Sequence, residues 1–133
     1  MRDTRRLRRL VGPDGVLYRW RVRHRHTAGS DCREVLTLYR DGVPLRIVFR
    51  AGPGRVAGGG YPGHTGLVFD ASDHQANLYE PGVVRAFLDE ALRRGVPAGR
   101  AAELDGWELL PAVAVSRAAG ATPGAPPDCP PGP

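Results

Sequence analysis

From Leu17 to His26 the chain reads LYRWRVRHRH, an alternation of apolar or aromatic residues with arginine. A period of two sends successive side chains to opposite faces of a strand, whereas a helix would scatter the arginines around its circumference. Tyr18, Trp20, Val22, His24 and His26 therefore share one face, and Arg19, Arg21, Arg23 and Arg25 the other. The spacing predicts a half-buried strand, aromatic towards a core and cationic towards water. Pro13-Asp14-Gly15 ahead of it reads as a turn, so Leu10 and Val11 supply a short partner strand. Residues 1–9 form a basic N-terminal arm, in which Arg5 to Arg9 either extend that strand or stay loose.

Two further apolar runs, EVLTLYR and VPLRIVFR, flank Asp41-Gly42 and predict a β-hairpin. Leu36 and Leu38 share a face, as do Leu45, Ile47 and Phe49, while Arg46 and Arg50 face water. Pro44 marks an edge strand or the first position of a strand. Residues 51–66, AGPGRVAGGGYPGHTG, hold seven glycines and two prolines and are expected to sustain no regular structure. Leu67 to Phe69 predicts a fourth strand, and Ala76 to Tyr79 a fifth after the polar turn ASDHQ.

Residues 81–94 give the clearest helix, because Val84, Phe87, Leu88, Ala91 and Leu92 fall on one side at helical spacing. Pro81 suits its first turn and Gly95 its end, and Arg85, Asp89 and Arg93 make a chain of i, i+4 pairs. Residues 100–104 add one helical turn, and Trp107 to Leu110 a last strand or extended segment. From Ala118 the tail AAGATPGAPPDCPPGP has little to bury and is expected to be disordered. The fold class is α+β: an antiparallel sheet of about four to six strands with one main helix packed across one face. Residues 10–117 form a single domain and residues 118–133 the tail.

All 19 basic residues are arginine, so phosphate-loop lysines, Schiff bases and lysine general bases are excluded. Residues 1–26 contain nine arginines against Asp3 and Asp14, a net +7 of the chain's +5, which leaves −2 for the rest. The basic character thus belongs to one end. No run approaches the ~20 apolar residues of a membrane span, and no apolar run follows the arginine-rich start, so no membrane contact and a cytoplasmic location are expected. Cys32 lies before a predicted strand and Cys129 in the tail, and both read as free thiols.

YRWRVRHRH, ANLYEPGVVRAFLDEALRRG and ELDGWELL together resemble a family of small uncharacterised bacterial proteins of high-GC genomes. In that family a β-meander precedes one helix introduced by a Pro-Gly-Val-Val-Arg-type sequence. The resemblance spans roughly residues 15–112, and Val96 replaces the usual aromatic after the helix-ending glycine. It implies a fold and carries no activity, cofactor or catalytic residue.

His24 and His26 leave one strand face at a spacing that chelates metals, with Cys32, His64 or His74 as third ligands. The competing reading makes them strand-end histidines at the rim of the core. Gly52-Pro53-Gly54-Arg55-Val56-Ala57 matches a dinucleotide-binding G-x-G-x-x-A, but Gly58, Gly59, Gly60 and Pro62 forbid the helix that motif needs. No cofactor is expected. Asp70, Ser72, Asp73 and His74 form no nucleophile elbow or paired carboxylates and read as a polar turn. The 51–66 segment exceeds usual loop lengths, and Arg55, Tyr61 and His64 are its contact-capable side chains if it is more than a tolerated insertion.

These readings converge on a non-catalytic interaction or adaptor module. It meets a protein partner through Arg19, Arg21, Arg23 and Arg25, or through the loop bearing Arg55, Tyr61 and His64. A first alternative is nucleic-acid binding through phosphate contacts of the arginine stripe, without base stacking because Tyr18 and Trp20 lie on the opposite face. A second is a histidine-metal enzyme built on His24 and His26.

Overall fold

The alternating segment is the second strand of a five-stranded sheet in order β1-β2-β3-β4-β8, formed by β1 (Arg8–Val11), β2 (Leu17–Thr27), β3 (Asp31–Arg40), β4 (Val43–Arg50) and β8 (Ala102–Asp105). The computed structural model describes residues 7–27, 31–57, 66–97 and 99–120, so Tyr61, His64, Cys129 and the tail from residue 121 lie outside the described residues. A three-stranded antiparallel sheet contains β5 (Arg55–Ala57), β6 (Leu67–Asp70) and β7 (Gln75–Asn77), and the helices are α1 (Pro81–Arg93) and α2 (Gly106–Gly120). The chain is α+β, as its patterning implies.

The first four strands form an antiparallel meander whose register follows from local chemistry. Asp41 and Gly42 both adopt positive φ, 52° and 81°, the two-residue turn whose twist matches paired strands. That turn sets Arg40 opposite Val43 and Leu36 opposite Ile47. Pro44 is the second residue of an interior strand: β8 joins β4 from Leu45 onward, so the missing N–H of Pro44 interrupts neither ladder's centre.

Five sequence expectations are corrected. Residues 100–104 contain no helical turn, because Ala102–Asp105 pairs parallel with β4 and buries Leu104 partly beside Ile47. Trp107 to Leu110 is helical. Asp105 Oδ1 accepts the Trp107 N–H at 3.0 Å, and Glu108 stands three residues after Asp105, the arrangement of a helix start. This helix runs through residues 118–120, where the tail was expected to begin. Residues 51–66 include regular structure after all, since Arg55–Ala57 pairs with β6 beyond a Gly52–Arg55 bridge. Finally, Cys32 lies within β3.

Helix α1 follows its pattern: Val84, Phe87, Leu88 and Ala91 are buried, Pro81 opens the first turn, and Gly95 at φ 90° ends it. Arg85 pairs with Asp89 at 2.8 Å, but Arg93 turns to Glu90 instead of Asp89. Both helices and the inward residues of the small sheet, Ala57, Val68 and Ala76, join one core with Tyr18, Trp20, Leu36, Leu38, Ile47 and Phe49. Phe49 stands at its centre. Its ring meets Phe87 and Trp107 edge-on, with centroids 5.4 Å and 5.2 Å away, and rests against the Cα of Gly106. A methyl group at Gly106 would collide with a ring that its neighbours hold on both sides. Gly106→Ala is expected to lower stability by roughly 1–3 kcal/mol, read as a lower urea midpoint at unchanged slope.

Candidate functional site

Because both helices and the small sheet pack on one face of the large sheet, no described element covers the other. The strand registers decide which side chains meet there. Arg25, Arg33 and Arg50 stand opposite one another in a row across β2, β3 and β4. The next row is Arg23, Val35, Val48 and Asp105, followed by Arg21, Thr37, Arg46 and Glu103, then Arg19, Tyr39 and Pro44. Arg9 on β1 faces Arg19. The middle rows line a concavity of about 260 Å³. Val35, Thr37 and Val48 form its buried floor, shielded by the methylene stems of the flanking arginines.

The structure thus brings Arg19, Arg21, Arg23 and Arg25 together with Arg33, Arg46 and Arg50, which the isolated stripe did not include. Arg40, Arg85, Arg93 and Arg94 each hold a carboxylate, whereas Arg25, Arg33, Arg46 and Arg50 hold none among the described residues. Like charges directly opposite on paired strands repel across ~5 Å and destabilise the sheet. Arg21 additionally lies over the Tyr39 ring, 6.0 Å from its centroid. Trp107 Nε1–H donates to the Arg50 carbonyl at 2.8 Å, which ties the end of β4, and with it the three-arginine row, to α2.

Arg33 carries a signal that strand parity alone supplies, since the Asp41-Gly42 turn fixes it opposite Arg50. The apolar run EVLTLYR begins at Glu34, three residues after β3 itself begins, and so leaves Arg33 outside it. Arg55 lies on the second sheet, exposed, with its guanidinium 5.6 Å from the centroid of the Trp107 ring. Tyr61 and His64 fall outside the described residues.

His24 turns inward, where its Nδ1 and Glu34 Oε2 share a hydrogen bond at 2.5 Å. Glu34 is wholly buried, and burial raises its pKa against the lowering influence of hydrogen bonds from His24 and the Gly66 backbone and of the His24 charge. The side chain of His26 is not among those described. Among the described residues no three histidine, cysteine, aspartate or glutamate side chains converge on a point that would hold a metal ion. ASDHQ is a self-contained turn. Burial acts to raise the Asp70 pKa, but hydrogen bonds from the His74 ring and from the His74 and Ser72 backbones, with the His74 charge, hold it below the usual carboxylate value.

Comparisons with protein-family models, curated proteins and solved structures find no match. No described helix is long and apolar enough to cross a membrane.

Two outcomes follow from this geometry. Arg33→Gln relieves repulsion in the three-arginine row, so the unbound protein gains roughly 0.2–1 kcal/mol, and the gain shrinks as salt screens the charges. Denaturation at low and high salt reads this directly; a loss of stability at both would contradict the repulsion. Glu34, held protonated more tightly in the folded chain than in the unfolded one, loses stability as pH rises from its ordinary value of 4.5 through its raised one. Relative to the native protein, Glu34→Gln should therefore gain stability across that window and level off above it. A difference that stays flat with pH would show that Glu34 does not carry this linkage.

Proposed function

We propose that this chain is a non-catalytic interaction module that works in the cytoplasm and binds an acidic segment of a protein partner on its arginine-lined sheet. The observation that carries this reading is the alignment of Arg25, Arg33 and Arg50 on three adjacent strands. Such a row destabilises the free sheet. An anionic partner reverses the sign of that interaction, because one carboxylate between two guanidiniums converts repulsion into paired, charge-assisted hydrogen bonds.

Three features favour protein over nucleic acid. Tyr39 is the aromatic residue of this face among the described residues, and it is half-buried beside Arg21, which counts against the stacking platform that single-strand binders use. Glu103 and Asp105 bound the β4 side with negative charge, so a long phosphate backbone crossing the sheet meets repulsion there. The opposite end of the face is apolar. The nucleic-acid reading keeps one specific support: arginines at every second residue of β2 repeat at ~6.8 Å, a ladder suited to successive anionic groups.

Titrating the full chain with a glutamate-rich peptide and with a single-stranded oligonucleotide of equal charge separates the readings. The peptide is expected to bind with affinity that falls steeply with salt. Arg23→Ala combined with Arg46→Ala should weaken it at least tenfold, or about 1.4 kcal/mol. Tighter binding of the oligonucleotide would transfer the face to phosphate recognition, and binding of neither would remove the anionic partner altogether.

A further inference from the structure

We infer that the acidic segment is bipartite, with a large apolar residue at one end and acidic residues at alternate positions after it. This rests on the acidic-partner reading and specifies its ligand. At the end of β2 nearest the β3–β4 turn lies a cleft of about 620 Å³, lined by Leu7, Val16, Leu17 and Tyr39 together with Arg19, Arg21 and the Asp41 of that turn. Arg21 and Tyr39 also line the arginine concavity, so the two depressions are continuous. Leu17 is 45% exposed and its cross-strand partner Val11 55%, which leaves apolar surface in water beside a cationic groove. A phosphate backbone has nothing to place there. A leucine or phenylalanine side chain does, and the guanidiniums along the same axis take the carboxylates that follow.

The chain's own segments lack the complementary charge. Residues 118–133 contain Asp128 as their single acid, and residues 1–6 set Asp3 against Arg2, Arg5 and Arg6. A second copy would present the same cationic face, and the acids of α1, Asp89 and Glu90, are already committed to Arg85, Arg93 and Arg94. Charge complementarity thus favours an acidic segment of a different protein. From Leu17 to Arg25 the strand rises about 27 Å at ~3.4 Å per residue, the span of an extended nonapeptide. Side chains directed at the sheet recur at every second residue of such a peptide. An apolar first residue over Leu17 then places acids three, five, seven and nine over the rows of Arg19, Arg21, Arg23 and Arg25.

The test compares Phe-Ser-Glu-Ser-Glu-Ser-Glu-Ser-Glu with the same peptide begun by Ser, each fluorescently labelled and titrated with the full chain at low salt. The Phe peptide should bind about tenfold or more tightly, the increment of burying one large apolar side chain. Leu17→Gln, a change at an exposed position, should abolish that difference. Arg25→Ala with Arg50→Ala should weaken both peptides alike. Equal affinity of the two peptides for the native chain overturns the bipartite ligand while leaving an acidic partner in place. Binding of neither overturns the acidic partner, and the bipartite ligand with it. The peptide comparison needs no protein variant, so it decides the matter even if a substitution disturbs folding.

Discussion

Four guanidinium groups on alternate positions of one strand cannot enter an apolar interior, and that prohibition orients everything packed around β2. Slipping β2 by one residue would bury Arg19, Arg21, Arg23 and Arg25 and push Tyr18 and Trp20 into water, exchanging a favourable transfer for several unpaired buried charges. Only one facing direction survives. Once β2 is oriented, pairing with β3 and β4 commits Leu36, Leu38, Leu45, Ile47 and Phe49 to the same side, since opposite residues in a sheet share a face. Both helices and the small sheet then have one apolar surface on which to dock.

The docking side is organised around aromatic contacts. Phe49 touches Phe87 from α1 and Trp107 from α2, so one side chain of the meander positions both helices. Trp107 in turn fixes the backbone at Arg50 through its indole N–H. Packing on the covered side therefore sets where guanidiniums stand on the uncovered side. Core and charged surface are coupled through the same strand.

Much of this was legible in the residues themselves. The parity of β2, the Asp41-Gly42 hairpin and the helix between Pro81 and Gly95 each carry a local signal that the structure repeats. What escaped were elements whose identity depends on distant partners. Ala102–Asp105 is too short to announce a strand, and becomes one because β4 offers an unpaired edge. Trp107 to Leu110 is apolar without a clear period, and only Asp105 and Glu108 mark a helix start. The neighbour of Arg55, the Trp107 ring, is one that local spacing cannot reveal. For the arginine face, one strand's stripe was visible. Its extension to Arg33, Arg46 and Arg50 required registers that tertiary packing completes.

The parallel strand β8 has a consequence for how the molecule reaches its shape. The meander closes through short turns, whereas Leu45 meets Ala102 only after the small sheet and α1 have been threaded between them. Closing so long a loop costs chain entropy that adjacent hairpins avoid, and contacts of this range slow folding. The carboxylates of Glu103 and Asp105 thus reach the sheet last. Until they do, a nascent chain displays a more strongly cationic β-layer with a bare hydrogen-bonding margin at β4, the very margin along which incomplete sheets recruit stray strands.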